Sequence, residues 1–231
     1  MKRLRAGCTP ARQGAAGLAL AALLAWPAAR LVLESSMWRQ MLLQYPLWLL
    51  AGALLAAVLP QRARAALARW NAHGITGLVL AGVVLAVLMV PRLLDLALRD
   101  PAVEAAKCAA LLLAGAALRL SWRAAGRVVQ GFFLGNVLPM TVVAGQLYID
   151  APLRLCNAYL LDDQQRLGRW LTGVAALLAL AWLVQVARWA MAPRPVDAAG
   201  PDAPEAPGSC TRKENLVGVR GFEPPASTSR T

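Results

Sequence analysis

A chain of 231 residues that is 58% hydrophobic and 16% charged cannot bury its apolar surface in a water-soluble core, because a fold of this size leaves much of its chain at the surface. The net charge of +12 would suit a nucleic acid. However, the arginines sit in short connectors between apolar runs and form no basic face with stacking aromatics, so topogenic charge beside anionic lipid is expected, with no nucleic-acid partner. The cysteines Cys8, Cys108, Cys156 and Cys210 are scattered without a CxxC pair, and His73 is the single histidine; this excludes zinc-ribbon, thioredoxin-like and haem-attachment spacings and argues against a disulfide framework.

A hydrocarbon layer about 30 Å thick needs roughly 20 apolar residues for each helical crossing. Behind a basic, cytoplasmic stretch at residues 1–13, with Lys2, Arg3, Arg5 and Arg12, the first such run covers about residues 14–33. Further runs cover 41–59, 74–90, 103–120, 128–149 and 170–190. Lipid offers no partner to free backbone groups, and no alternating strand pattern points to a barrel. The expected fold is an all-α integral membrane protein, a polytopic helical bundle of about six transmembrane helices over residues 14–190. Gly131 and Gly135 form a GxxxG pair, and Gly74, Gly77 and Gly82 a small-residue stripe, both suited to close helix packing. Pro46 and Pro139 each remove a backbone donor inside a span and are expected kinks.

Basic residues set the expected orientation. Arg62, Arg64 and Arg69 follow the second run, and Arg119, Arg123 and Arg127 the fourth, on the side of the basic N-terminus. The opposite connectors carry Arg39, then Arg92 and Arg99 with Asp95 and Asp100, then Arg154, Arg166 and Arg169 with Asp150, Asp162 and Asp163. The balance places both termini in the cytoplasm, in a multi-pass protein of a bacterial-type inner (plasma) membrane. The basic start, first apolar run and Pro27-Ala28-Ala29 also have the form of a cleavable signal, but the length of the run and Arg30 favour a retained anchor. Beyond residue 190, Pro193, Pro195, Pro201, Pro204 and Pro207 lie among Gly, Ala and Asp. Segment 191–231 has too little apolar area to fold and is expected to be a disordered tail. Its stretch Gly218-Val219-Arg220-Gly221-Phe222-Glu223-Pro224-Pro225 resembles the translated antisense strand of a tRNA T-arm, so about the last fifteen residues are expected to be read-through of an adjacent tRNA gene.

Three stretches, in order, carry a family signal. The first is Gln40-Met41-Leu42-Leu43-Gln44, followed by Pro46 and Gly52. The second runs Met89-Val90-Pro91-Arg92-Leu93-Leu94-Asp95-Leu96-Ala97-Leu98, then a short link, Glu104 to Cys108, an apolar run with Gly115, and Trp122. The third is Asp162-Asp163-Gln164-Gln165-Arg166-Leu167-Gly168. Together they resemble the QHMLLM, WHxPxLYDxAL…HxxxH and (E/D)DQQLGG segments of the multi-span CtaG-type cytochrome c oxidase assembly factors. The resemblance implies a helical bundle, usually of seven spans, that handles copper during oxidase biogenesis, with respiratory oxidase subunits or a copper chaperone as partners. This chain departs from the pattern at the copper-binding histidines: Met89 stands at the first, Glu104 and Cys108 at the HxxxH pair, and no histidine lies near Gln40.

The residues themselves allow a different metal site. With the termini inside, Met41, Met89 and Cys108 fall near the non-cytoplasmic face, and Glu104 and Cys108, four apart, share one helical face, as do Met37 and Met41. Thioether and thiolate are soft donors suited to Cu(I), so Met41, Met89, Cys108 and Glu104 are the candidate ligands, with Lys107 disfavouring a cation beside them. The plainer assignments are packing for the methionines and Cys108, an interfacial pair for Glu104 and Lys107, a polar helix start for Asp162 and Asp163, and solvation for His73. Cys156, on the outer connector, is a candidate to face Cys108 at a distance that the sequence does not fix. No Ser/His/Asp grouping or phosphate-cradling glycine loop points to an enzyme. The expected function is a membrane accessory role in oxidase assembly with altered or lost metal binding, against a small-molecule or ion transporter or a purely structural subunit. The charged residues cluster at span ends, which weakens the transporter reading.

Overall fold

The computed structural model describes residues 9–152, 155 and 159–191. Residues 1–8, most of the connector at 153–158 and the tail from 192 onward, with Cys8, Cys156, Cys210 and the tRNA-like end, lie outside the described residues. Among the described residues the secondary structure is helical throughout.

Proline and polar caps punctuate the chain. Helix α1 (Pro10–Ala25) opens with Thr9, whose side chain accepts from the Arg12 N–H at 3.4 Å. Pro27 holds Trp26 in an extended conformation, so α2 (Pro27–Glu34) leaves α1 at a bend of 69°. Helix α3 (Met37–Val58) is continuous but widens over Gln40–Gln44 into a π turn, in which the Tyr45 N–H reaches the Gln40 carbonyl. Pro46 follows directly and cannot donate to Leu42, so the irregularity expected at Pro46 takes the form of a π turn just before it.

Helix α4 (Gln61–Trp70) is arginine-rich and buries no residue. It turns by 86° into α5 (Ile75–Leu88) through Gly74, whose φ of +70° favours glycine. Pro91 opens α6 (Pro91–Arg99). Asp100 caps α7 (Pro101–Trp122), accepting from the Ala102 N–H at 2.8 Å. Helix α8 (Gly126–Asp150) contains Pro139 and runs on past it, and α9 (Leu161–Ala190) starts with Asp162 and Asp163 at its positive end.

Helices α3, α7, α8 and α9 are each long and apolar enough to cross a membrane, and the bent pairs α1–α2 and α4–α5 raise the total to at most six. Among the described residues, four to six helices are thus long and apolar enough to span a membrane, as a helical membrane bundle requires. The shortfall against six straight crossings is physical: α5 has 14 residues, about 21 Å of helix, and the first run is broken at Pro27.

Neighbouring helices pack in the order α1, α3, α7, α5, α8, α9, and the start of α9 returns to the start of α3. Glycines set the closest approaches. A Cβ on Gly52 would strike the backbone of Leu112, and one on Gly115 the backbone of Leu49, so α3 and α7 cross backbone to backbone. Gly145 and Gly168 do the same for α8 and α9. Of the expected small-residue positions, Gly77 meets Ser121 and Gly131 meets Trp182, whereas Gly135 faces open space. The buried core lies at the end where Met37, Met41, Tyr45 and Trp48 of α3 meet Leu94, Leu111 and Tyr148.

Candidate functional site

This core encloses polar groups. At its edge, the Asp163 carboxylate in the first turn of α9 accepts from the Ser36 hydroxyl at 2.8 Å and from the Met37 N–H at 2.6 Å. An α9 side chain therefore caps α3, satisfying an N–H that the helix start leaves open. The neighbouring Gln164, 2% exposed, accepts from the Leu155 N–H at 2.9 Å and donates to the Tyr148 carbonyl at 3.2 Å. These contacts tie the end of α8, the connector and the start of α9 together.

One layer deeper, the Tyr159 hydroxyl lies 2.7 Å from Gln40 Oε1 and 2.8 Å from the Glu34 carbonyl. Gln44 donates to Glu34 Oε1 at 3.2 Å. Gln40 and Gln44 are both fully buried. They bracket the π turn, a distortion found often at functional sites.

The charged centre follows. Arg30 Nε is 3.2 Å from Glu34 Oε1, and the same guanidinium is 3.6 Å from Glu104 Oε1. Lys107 Nζ is 2.6 Å from Glu104 Oε2 and 5.8 Å from the centre of the Tyr45 ring. Glu104 and Lys107 are each 4% exposed. Two cations thus meet two carboxylates, and the charges of these four residues balance. Burying ions inside a membrane span is tolerated only with such compensation. A cavity of about 220 Å³ opens beside Arg30, Trp48, Glu104 and Cys108.

Compensation is incomplete along α3. Among the described residues, Gln40 Nε2, Gln44 Oε1 and Trp48 Nε1 are buried without a hydrogen-bond partner. Spaced four apart, they form a polar row along one side of the helix.

The structure brings Glu104 and Cys108 together, with Cys108 Sγ 3.5 Å from Glu104 Oε1. Met41 is buried, Met89 and Cys108 are half-buried, and all three belong to or pack against the same apolar core. Sulfur donors of this kind suit Cu(I). Glu104 is a different case, because its carboxylate is already shared by Lys107 and Arg30, and a metal ion there would have to displace a resident cation. Among the described residues no group of three or more His, Cys, Asp or Glu is placed to hold a metal.

The sequence alone missed Arg30, Glu34, Tyr159 and Gln164 as members of the cluster. Arg30 and Glu34 left a signal, since opposite charges four apart at the end of an apolar run predict an inward-facing pair. Gln164 stood in the third of the family-like stretches without a role assigned to it, and Tyr159 left no signal. Compared with protein-family models, curated proteins and solved structures, the chain matches none.

Proposed function

We propose that this chain is a multi-pass membrane accessory protein of respiratory-oxidase assembly, working beside oxidase subunits or a copper chaperone, with metal handling altered or lost. One observation supports this reading above others. The three stretches that resemble the assembly factors, far apart in sequence, meet in a single cluster. Gln40 and Gln44 come from the first, Glu104, Lys107 and Cys108 from the second, and Asp163 and Gln164 from the third.

The chemistry of the cluster favours a scaffold over a copper relay. Arg30 and Lys107 balance Glu34 and Glu104 internally, so no metal is needed to neutralise the carboxylates. A carboxylate paired with two resident cations is also a poor landing place for a third.

Disrupting the gene in its own host tests this. Haem–copper oxidase activity in membranes falls, and the wild-type gene restores it. Anaerobically purified chain loaded with Cu(I) then separates the two modes. Copper that is lost in Met41→Leu, Met89→Leu or Cys108→Ser variants marks a carrier, and a copper-free chain that still restores the oxidase marks a scaffold. Unchanged oxidase activity in the disrupted strain contradicts the assembly role.

A further inference from the structure

Helix α8 is poorly covered by its own chain. Only 6% of its most apolar window is buried, against 44% for α3. Its outward stripe runs through Val128, Phe132, Asn136, Pro139 and Val143, with Val128 87% and Phe132 74% exposed. No charged residue lies between 128 and 149.

Two features at the middle of this stripe are out of place in hydrocarbon. Asn136 is exposed, and its Nδ2 donates to the Phe132 carbonyl of its own helix at 2.7 Å. Among the described residues no donor meets its Oδ1. Three residues on, Pro139 lacks an N–H, so the Gly135 carbonyl loses the donor that a regular helix would give it. Two successive residues near the midpoint of the span, Gly135 and Asn136, therefore each carry an acceptor where lipid tails supply no donor.

We propose that a second copy of this chain docks on this face, forming a twofold α8–α8 pair centred on Asn136. A primary amide carries both donor and acceptor, so it is complementary to itself. Across a twofold axis each Asn136 amide can donate to the Gly135 carbonyl or the Asn136 Oδ1 of the other copy, an isologous contact. Gly135 has nothing within 4 Å of where a Cβ would sit, leaving room for the partner's backbone. An uncharged stripe brings no like-charge repulsion when paired with itself.

Single-molecule photobleaching of the full-length, labelled chain in lipid vesicles, over a range of protein-to-lipid ratios, tests the pairing. Two-step bleaching is expected to rise with protein density. Asn136→Leu weakens the dimer about 3- to 30-fold, the range of interhelical side-chain hydrogen bonds in membranes. Pro139→Ala restores the missing donor and also weakens the dimer, while Asn136→Gln retains it. Asn136→Gln and Pro139→Ala carry the test alone if Asn136→Leu does not reconstitute. A chain that bleaches in one step at every density overturns the proposal, whether or not it binds another membrane protein through this face. So does a dimer indifferent to Pro139→Ala and to every Asn136 change.

Discussion

Lys107 is the residue on which the polar interior depends most heavily. It sits 4% exposed, its ammonium 2.6 Å from Glu104, and removing one member of a buried ion pair leaves the other charge unbalanced. Lys107→Met is expected to cost about 3–5 kcal/mol of stability, whereas Lys107→Met combined with Glu104→Gln costs clearly less. Unfolding of the detergent-solubilised chain measures this cycle, and equal losses in single and double variants contradict the pairing. The local half of the pair was legible in the sequence, because residues three apart on a helix are neighbours. Arg30 was not, since its approach to Glu104 depends on how α2 lies against α7, which no local pattern encodes. Asp163 follows the same rule. Its place in a helix start is readable, but its capping of α3 is a long-range contact. Asp163→Ala is expected to cost about 1–2 kcal/mol through the lost cap, checked by the same unfolding measurement.

At the scale of helices, hydropathy located the apolar runs well because length and composition are local properties. The bends were harder to read. Pro27 breaks the first run by 69°, although it lies where a signal-cleavage pattern drew attention to the small residues after it. Close packing was the least legible feature. The GxxxG pair drew attention to Gly131 and Gly135, yet Gly52 and Gly115, which belong to no such pair, are the glycines that let α3 and α7 touch backbone to backbone. A lone glycine shows its role only once its partner helix is known. Gly115→Val places a branched side chain against the Leu49 backbone, and overpacking of this kind costs about 1–3 kcal/mol or more. Gly173→Val, where nothing lies within 4 Å, is expected to be nearly neutral, and equal destabilisation of the two variants would contradict the α3–α7 crossing.

At the scale of the whole molecule, distant segments of a membrane-embedded bundle close on one interior in which Arg30 and Lys107 balance Glu34 and Glu104. Large apolar side chains such as Leu31, Leu113 and Leu177 are 64–75% exposed, an outer surface fitted to lipid. The copper expectation came from the order of three short stretches, and those stretches do share one interior. Lys107 beside Glu104 was legible in that sequence, whereas Arg30, the second cation on the same carboxylate, was not. The most direct test joins Ser36 and Asp163, whose side chains lie 2.8 Å apart across the bundle. With the native cysteines replaced by serine, the Ser36→Cys/Asp163→Cys chain is oxidised in its own membranes, cleaved between the two sites and run without reductant. The chain is expected to stay in the membrane pellet, with its two fragments still linked. Fragments that separate despite full oxidation, or a chain recovered in the soluble fraction, would contradict it.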